Sequence, residues 1–427
     1  MRRRVVITGA GCITPLGNEP DEFWRALATG QSGVGEISNF DATNFPVRIA
    51  AEVQDWEISD IGEDPLDWQH HARQTRFAVA AVVNARESAG LASSESDPIR
   101  TGVFLGCGEI FPDFIQLATL MGQSLRGKRF DSEDFAKLAT DALHAEYELA
   151  LDPGISVGLA ASLVNAQGPA LNYTTACVSS SVAIGEAAEA IRRDDADVVY
   201  AGGAHSMIHP FGITGFCKLS TLSSRNEEPT KASRPFDRDR DGFVVGEGGV
   251  VLVLEDLGHA QQRGAEILGE LTGYGSTDDA YRITDPEPSG RSASRCMSAA
   301  LENAQLNPEQ IDYINAHGSG TVINDKIETQ AIKRAFRKHA HKVPVSSTKS
   351  MTGHLTTACG AIELLACLMA IREGIVPPTI NYETPDPQCD LDYVPNSARD
   401  LECEHVLSNS LGFGGQNVAL VVSRFDG

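Results

Sequence analysis

The sequence is poor in positive charge. It has 35 lysine and arginine residues against 58 aspartate and glutamate residues in a chain of 427, which leaves a formal net charge of −23 at pH 7. Lysine and arginine supply the affinity of proteins for nucleic acids and for anionic membrane surfaces. The charge balance therefore excludes general binding to nucleic acid or to a membrane surface, and a polyanionic partner would need a local basic patch.

Paired cysteines and long apolar runs are also missing. The nine cysteines are an odd number without any C-x-x-C pair, so the sequence predicts neither a disulfide framework nor a zinc site. The most apolar run, residues 364–371, has the size of a core helix and is far short of the roughly 18 residues that span a bilayer. The apolar run at residues 5–7 is too short for a signal peptide. We expect a cytoplasmic protein without a metal and without membrane insertion.

Short apolar runs alternate with alanine-rich helical segments along the whole chain. The runs include residues 5–7, 102–105, 198–201, 250–254 and 418–422. Continuous apolar runs of this length are typical of strands that are buried on both faces. The pattern predicts a layered α/β fold.

Two segments of the chain look related. The motif Thr-Thr-Ala-Cys ends at Cys177 and again at Cys359, and each copy precedes a predicted helix that ends in Ala-Ile-Arg. The two motifs favour an internal duplication with halves that meet near residue 258; chance identity in an alanine-rich chain is the alternative. The more polar segment at about residues 109–164 is predicted to be a cap or insertion in the first half.

Cys177 is the first candidate for chemistry. It follows a predicted strand and begins a predicted helix of small residues that runs to about Arg193. Unpaired N–H groups and the positive end of the helix dipole stabilise a thiolate at such a position, so we expect a lowered thiol pKa and a nucleophile. The alternative is an inert buried cysteine. Cys359 continues straight into an apolar helix, and we interpret it as structural.

Three further segments carry groups that act on carbonyl compounds. His317 stands at a strand end before two glycines, and Lys349 and His354 lie within ten residues rich in hydroxyl groups. The glycine-rich turn 412–415 can expose backbone N–H groups to a ligand oxygen. The alternatives are a structural histidine, a solvated lysine and a plain hairpin turn. A cysteine with two histidines and a lysine indicates acyl transfer with enolate chemistry.

From these motifs the chain is identified as a member of the elongating β-ketoacyl-acyl carrier protein synthases, which are condensing enzymes with the thiolase fold. The motifs include Thr175-Ala-Cys177, Asn315-Ala-His317-Gly, Lys-Ser-Met-Thr-Gly-His from Lys349 to His354, and Gly412-Phe-Gly-Gly415. The resemblance implies an α/β fold with two duplicated halves, residues 1–258 and 259–427, stacked in five αβαβα layers. It also implies a homodimer and no cofactor.

The resemblance further implies a two-step reaction at Cys177. The thiol accepts an acyl chain as a thioester, with the backbone N–H groups of Cys177 and Phe413 as an oxyanion hole. His317 and His354 then bind the carbonyl of a malonyl thioester while carbon dioxide leaves, and the resulting enolate attacks the acyl-cysteine.

The remaining implied site residues support this reaction. Lys349 resembles the family's lysine, which orients the site electrostatically, and Glu328 resembles its carboxylate neighbour. The implied substrate-binding residues are Gly412, Phe413, Thr321 and Thr352, with Phe413 as a movable gate over the acyl pocket.

Three departures from the family pattern leave the substrate open. Val-Ser-Ser-Ser follows Cys177, the loop at His317 reads His-Gly-Ser-Gly-Thr as in aromatic-polyketide ketosynthases, and Gln416 replaces the usual threonine. Fatty-acid elongation and a polyketide or unusual-lipid pathway are both open. A second function is a non-catalytic, chain-length-determining partner subunit of a ketosynthase heterodimer; the retained cysteine and histidines argue against it.

The implied partner, acyl carrier protein, is itself acidic and must dock against the net charge of −23. The docking surface must therefore be locally basic. Lys218 resembles a docking position in relatives. The other candidates rest on composition alone: Arg126, Lys128, Arg129, Arg73 and Arg76.

Overall fold

The computed structural model describes residues 3–92 and 95–427. The strands are β1 (Val5–Ile13), β2 (Gly35–Glu36), β3 (Ile49–Ala50), β4 (Thr101–Cys107), β5 (Leu125–Arg126), β6 (Arg129–Phe130), β7 (Ala170–Tyr173), β8 (Val198–Ser206), β9 (Glu247–Asp256), β10 (Gly269–Asp278), β11 (Tyr313–Asn315), β12 (Val345–Ser346), β13 (Ile375–Val376), β14 (Arg399–Asp400), β15 (His405–Leu411) and β16 (Gln416–Ser423).

The strands are connected largely by helices. The α-helices are α1 (Pro20–Ala28), α2 (Pro65–Trp68), α3 (Arg73–Ser88), α4 (Phe114–Gln123), α5 (Ser132–Ala142), α6 (Ala145–Leu149), α7 (Gly154–Leu163), α8 (Ser179–Arg192), α9 (Pro210–Leu219), α10 (Leu257–Arg263), α11 (Arg291–Ala304), α12 (Val322–Phe336), α13 (Lys349–Thr352) and α14 (Cys359–Glu373).

Ten strands form one sheet whose order is symmetric about its centre. The order is β12-β11-β15-β16-β10-β1-β9-β8-β4-β7. β4 lies parallel to β7 and β8, and β11 lies parallel to β12 and β15, whereas the inner neighbours are antiparallel. The two halves meet at β1 and β10 through the pairs Val6–Glu270 and Ile7–Gly269. The second half therefore repeats the strand arrangement of the first half.

Helices α8 and α14 lie between the two halves of the sheet. Along β9, Val250, Leu252 and Leu254 pack into this central layer, while Val251 and Val253 pack on the opposite face with α3 and α7. Along β16 the alternate residues pack in the same way, with α11 and α12 as the outer helices. Because successive strand residues point to opposite faces, the result is five layers. The predicted α/β class and the duplicated five-layer arrangement are confirmed.

Two glycines in β1 allow α3 to lie directly on the sheet. A Cβ atom at Gly11 would lie 2.3 Å from the carbonyl oxygen of Ala81, and one at Gly9 would lie 2.6 Å from that of Ala85. No side chain fits at either distance. The glycines thus set the spacing between α3 and β1.

The segment predicted as a cap, about residues 109–164, lies between β4 and β7 and contains α4 to α7. Its hairpin β5–β6 and helices α4 to α6 are mostly exposed, whereas α7 packs against α3 in the outer layer. The division of the chain at residue 258 stays a prediction. Within the described ranges, no helix is both long and apolar enough to cross a membrane.

The same strained turn precedes both central helices. A 3-10 turn at Ala176–Val178 leads into α8, and a 3-10 turn at Thr356–Ala358 leads into α14. Their first residues have φ of +50° and +48°. These equivalent positions are 180 residues apart, so Cys177 corresponds to Thr357. The Thr-Thr-Ala-Cys identity at an offset of 182 is out of register with the structural repeat.

Candidate active site

A cavity of about 520 Å³ lies at the beginnings of α8 and α14. Cys177, His317 and His354 all line it. Cys177 comes from the turn before α8, His317 from the loop after β11, and His354 from the segment between α13 and α14. The fold thus brings three of the residues singled out from the sequence to one place.

Cys177 lies in the 3-10 turn, two residues before α8 begins, and only 8% of its surface is exposed. Burial raises the pKa of its thiol to about 11, although the Phe413 N–H, the Lys349 charge and the Cys177 N–H all act to lower it. The expectation of a lowered thiol pKa is therefore wrong, because loss of hydration outweighs the favourable dipoles.

The turn between β15 and β16 brings a second N–H group to the sulfur of Cys177. Gly412 donates its N–H to the carbonyl of Gln416 at 2.8 Å, and Gly414 and Gly415 have φ of +92° and +93°. The N–H groups of Phe413 and Cys177 both interact with the thiol. Two donors that converge on one point stabilise an oxyanion formed there.

Both cavity histidines have their ring protons fixed by their contacts. The ammonium group of Lys349 lies 3.3 Å from Nδ1 of His317, and because ammonium only donates, Nδ1 is the acceptor. The backbone N–H of Thr356 donates to Nδ1 of His354 at 3.0 Å. In each neutral ring the proton is therefore on Nε2. The two ring centroids are 5.4 Å apart.

The charge state of these rings follows from their surroundings. Burial, followed by the charge of Lys349, lowers the pKa of both His317 and His354 well below the usual value. Neutral imidazoles with a proton on Nε2 act as hydrogen-bond donors to a carbonyl oxygen.

Lys349 pairs with Glu363 on α14, which the sequence did not identify. Its ammonium contacts the Glu363 carboxylate and donates to the His317 carbonyl oxygen at 2.7 Å. Burial alone would lower the pKa of Lys349, because it disfavours the charged ammonium group. The charge and the hydrogen bond of Glu363 have the larger combined effect with the other neighbours, so the pKa of Lys349 is raised. A lone glutamate in the apolar run of α14 was the available signal, because a buried carboxylate needs a partner.

Glu328 lies near enough to Lys349 for its charge to help raise the lysine's pKa, as expected of a carboxylate neighbour, whereas the ion pair itself is made by Glu363. Its two oxygens accept the backbone N–H groups of His317 at 2.8 Å and Gly318 at 2.7 Å, and Asn409 donates to it at 2.7 Å. Burial raises the pKa of Glu328 to about 7 against these donors. Glu328 therefore fixes the backbone that carries His317.

The predicted substrate-binding residues divide into two groups. Gly412, Phe413 and Thr321 line the cavity, and the Thr321 hydroxyl also accepts the N–H of Asn324 at the start of α12. Thr352 is fully buried outside the cavity wall, where its hydroxyl contacts the carbonyl oxygens of Thr348 and Gly353. The substrate-binding role of Thr352 stays a prediction, and in this structure its hydroxyl completes the end of α13.

The basic residues predicted to dock a partner lie in different settings. Lys218 is exposed at the end of α9, next to the cavity-lining Leu219. Arg126, Lys128 and Arg129 are exposed on the β5–β6 hairpin, where Arg126 pairs with Asp134.

The two arginines at the start of α3 are used internally. Arg73 pairs with the buried Glu247 at 2.5 Å, and Arg76 donates to the carbonyl oxygen of His71 at 3.0 Å. Both are therefore poor candidates for contact with a partner.

The cavity also contains polar residues that the sequence reasoning missed. Glu109, His205 and Thr356 line it, and Cys359, interpreted as structural, is buried with its sulfur 3.1 Å from Nδ1 of His354. His205 follows a run of small apolar residues in β8, and an imidazole there needs a partner when buried. That pattern was the available signal.

Comparisons with known proteins agree with this geometry. Models of the β-ketoacyl synthase N-terminal and C-terminal domains match residues 2–260 and 268–383. The 3-oxoacyl-[acyl-carrier-protein] synthase 2 of Coxiella burnetii is 42% identical, covering 99% of both chains. A putative polyketide β-ketoacyl synthase of Streptomyces halstedii is 42% identical over 99% of this chain and 98% of its own.

Two solved structures have the same fold over the whole chain. One is a type II polyketide ketosynthase in complex with its acyl carrier protein and bound to a hexaketide, with a TM-score of 0.89, 34% identity and coverage of 100% of both chains. The other is the ishigamide ketosynthase/chain length factor, with a TM-score of 0.89, 32% identity and the same coverage.

Proposed function

The chain belongs to the β-ketoacyl synthase family, and from that premise we propose that Cys177 carries the acyl chain in a decarboxylative condensation with malonyl-acyl carrier protein. The observation that carries this proposal is one cavity lined by a cysteine, two imidazoles with Nε2 protons and the turn that supplies a second N–H group to the sulfur. The enzyme is an acyltransferase that extends a fatty-acid or polyketide chain.

In the first step the Cys177 sulfur attacks the thioester carbonyl of an acyl group on the carrier. The carrier thiol leaves with the proton that the Cys177 thiol loses. The N–H groups of Phe413 and Cys177 stabilise the negative oxygen of the tetrahedral intermediate. Burial keeps the thiol protonated until a thioester arrives, because the pKa of about 11 favours the neutral form.

In the second step the Nε2–H groups of His317 and His354 donate hydrogen bonds to the carbonyl oxygen of the malonyl thioester. Carbon dioxide leaves, its bonding electrons form the enolate, and the enolate carbon attacks the acyl carbon on Cys177. As the new carbon–carbon bond forms, the carbon–sulfur bond breaks, and the sulfur of Cys177 leaves as a thiolate that takes up a proton from water. Burial, with the charge of Lys349 as a second cause, keeps both rings neutral, and Lys349 donates to the His317 carbonyl oxygen at 2.7 Å, so it positions that donor.

The setting of the reaction follows from the same premise. We propose a cytoplasmic homodimer that takes acyl and malonyl groups from acyl carrier protein, with a ketosynthase-like heterodimer as the alternative assembly. The first half, residues 1–258, supplies Cys177, and the second, residues 259–427, supplies the histidines. All nine cysteines are unpaired, as expected in a reducing compartment.

Lys218 is the proposed docking residue because it is exposed beside the cavity-lining Leu219. Reversal of its charge in Lys218→Glu should lower kcat/KM for carrier-bound substrates about tenfold. Alkylation of Cys177 should proceed at the wild-type rate. Arg129→Glu tests the β5–β6 hairpin in the same way, and unchanged turnover in both variants would remove these docking surfaces.

The central experiment combines alkylation with measurement of carbon dioxide. Iodoacetamide should label Cys177, as located by mass spectrometry, and should abolish condensation. Cys177→Ala should condense nothing, while the control Cys217→Ala, which removes a half-buried cysteine on α9, should retain activity. Undiminished condensation by Cys177→Ser contradicts the proposal. Wild-type protein that neither condenses nor releases carbon dioxide indicates the non-catalytic, chain-length-determining subunit instead.

A further inference from the structure

One strongly basic segment occurs in this acidic chain. Residues 333–342, which cover the end of α12 and the turn after it, contain five lysine or arginine residues, two histidines and no aspartate or glutamate, although the whole chain has a net charge of −23. No acidic residue occurs in the sequence between Glu328 and Glu363. Positive charge is therefore concentrated in one short segment.

Four of the five cations are available to another molecule. Among residues 3–92 and 95–427, Lys333 pairs with Asp390, and the other four form no ion pair. The negative end of the helix dipole acts only within the last turn of α12, so it does not account for the two lysines that follow the helix. These four exposed residues, here called the basic patch, are Arg334, Arg337, Lys338 and Lys342.

The backbone at Arg337 is strained. This residue ends α12 with φ of +51° and ψ of −123°, and its N–H donates to the carbonyl oxygen of Lys333. Residues other than glycine rarely adopt such angles, and holding a large side chain there costs stability. Glycine would make the same turn without this cost. The arginine therefore adds a charge to the basic patch that the fold itself does not require.

The basic patch has no apolar component. In the described part of the chain, no large apolar side chain is exposed beyond Ile323. The patch therefore offers neither a wedge for insertion into a bilayer nor the apolar centre of a permanent interface. Binding at this surface must rest on charge and must weaken as the salt concentration rises.

The net charge of the chain decides between kinds of polyanion. A bilayer surface or a long nucleic acid would extend past the basic patch and meet the rest of the surface, where 58 acidic residues outnumber the basic ones. A compact protein with clustered carboxylates could contact the patch alone, because charges more than about 8 Å away are screened at physiological salt. Charge complementarity therefore favours an acidic protein.

The basic patch lies away from the cavity that Cys177 lines. Thr321, Val322 and Ile323 at the start of α12 line that cavity. With a rise of about 1.5 Å per residue, the end of α12 is roughly 20 Å from them. A protein bound at the patch would therefore leave the cavity accessible.

We propose that the basic patch is a docking surface for a second protein that presents clustered carboxylates, separate from the surface that receives the acyl carrier. The inference goes beyond the proposed function and does not depend on it, since docking at the patch requires no chemistry at Cys177.

The test measures binding of a fluorescent poly-glutamate peptide to the full chain by anisotropy, at low and at physiological salt. The wild type should bind the peptide, with a Kd that rises with salt. Arg334→Glu combined with Lys338→Glu should weaken binding about tenfold or more. The control Arg295→Glu, at an exposed arginine on α11, should change the Kd less than about twofold. Arg337→Gly should weaken binding and raise the urea midpoint of unfolding, because it removes a cation and the strain together.

Equal binding by the wild type and the double variant at low salt overturns the inference. It is also overturned if phosphatidylglycerol vesicles or duplex DNA bind at the patch more tightly than the peptide, which would assign the patch to another class of partner. The double variant should keep the wild-type kcat/KM for carrier-bound substrates, and a loss that matches its loss of peptide affinity would assign the patch to the carrier instead. A wild type that binds the peptide without condensing any substrate overturns the proposed function alone.

Discussion

The two strained turns before α8 and α14 have one backbone geometry and different chemistry. The first turn carries Cys177 and is closed by neutral hydroxyl groups: Ser179 accepts the N–H of Thr175 at 2.8 Å and donates to the carbonyl of Ala176 at 2.7 Å. The second turn follows His354 and lies beside charged groups. A duplicated backbone thus presents the proposed nucleophile on one side of the cavity and the proposed hydrogen-bond donors on the other.

The charged groups all belong to the second half. Lys349 and Glu363 form a buried ion pair, and Glu328 accepts the N–H group of His317. At the corresponding strand end of the first half, the Cys107 carbonyl accepts from the neutral side chains of Asn172 and Thr174. The comparison indicates that the buried charge that acts on His317 and His354 comes from Lys349 in the same half, the half proposed to bind the malonyl group.

The largest expected effect separates the tasks of the two turns. His354→Asn should lower carbon dioxide release from malonyl-carrier substrate about 100-fold or more, because one donor to the developing enolate oxygen is lost. Acylation of Cys177 should remain, because its oxyanion donors are backbone groups. The matched control is Thr174→Val at the equivalent position of the first turn, with a loss below about tenfold. Equal loss of acylation and decarboxylation in His354→Asn would contradict this division.

The second prediction concerns the buried carboxyl group of Glu328 in the second half. The pKa of Glu328 is raised by burial from about 4.5 to about 7, so ionisation is less favourable in the folded protein. Its contribution to stability is therefore complete below about pH 4.5 and is lost as pH rises through about 7. Relative to Glu328→Gln, the wild type should lose about 3 kcal/mol of unfolding free energy across this range. Urea unfolding at several pH values measures it; parallel curves for the two proteins would contradict it.

The third prediction concerns the contact between the first turns of α8 and α14. A Cβ atom at Gly360 would lie 1.7 Å from the Ser181 Oγ, so Gly360→Ala should destabilise the fold by about 1–3 kcal/mol through overpacking. Ser181→Gly in the same chain should recover part of the loss. Urea unfolding of both single variants and the double variant gives the coupling. Additive losses would show that the two helices do not meet as closely as this contact indicates.

The fold class and the main site residues could be predicted from the sequence because local patterns and motifs determine them. The alternation of apolar runs and helices predicted the layered α/β fold, and the motifs at Cys177, His317 and His354 identified residues that the fold brings to one cavity. Contacts between distant segments were not predictable in this way. The pairing of Lys349 with Glu363 depends on how α13 and α14 pack.

Two other misses have the same physical origin. The pKa of Cys177 depends on burial by elements far away in the chain, so the local helix signal pointed in the wrong direction. The register of the internal repeat is marked by backbone φ at Ala176 and Thr356 and by the Ala-Ile-Arg match at residues 190–192 and 370–372, each 180 residues apart, but not by the Thr-Thr-Ala-Cys match. An alignment of the two halves on the Thr-Thr-Ala-Cys motifs that end at Cys177 and Cys359 is therefore shifted by two residues.

The smallest expected effect concerns the equivalent positions Ser179 and Cys359, which follow the two turns. Ser179 closes its own turn, whereas the equivalent Cys359 places its sulfur 3.1 Å from Nδ1 of His354, so Cys359 is a positioning residue for that ring. Cys359→Ala should lower kcat for decarboxylation by about two- to fivefold, since the Thr356 N–H still orients the ring. Cys359→Ser, which keeps a donor, should restore the rate with KM for the malonyl substrate unchanged. Equal rates in the two variants would leave Cys359 with a packing role alone.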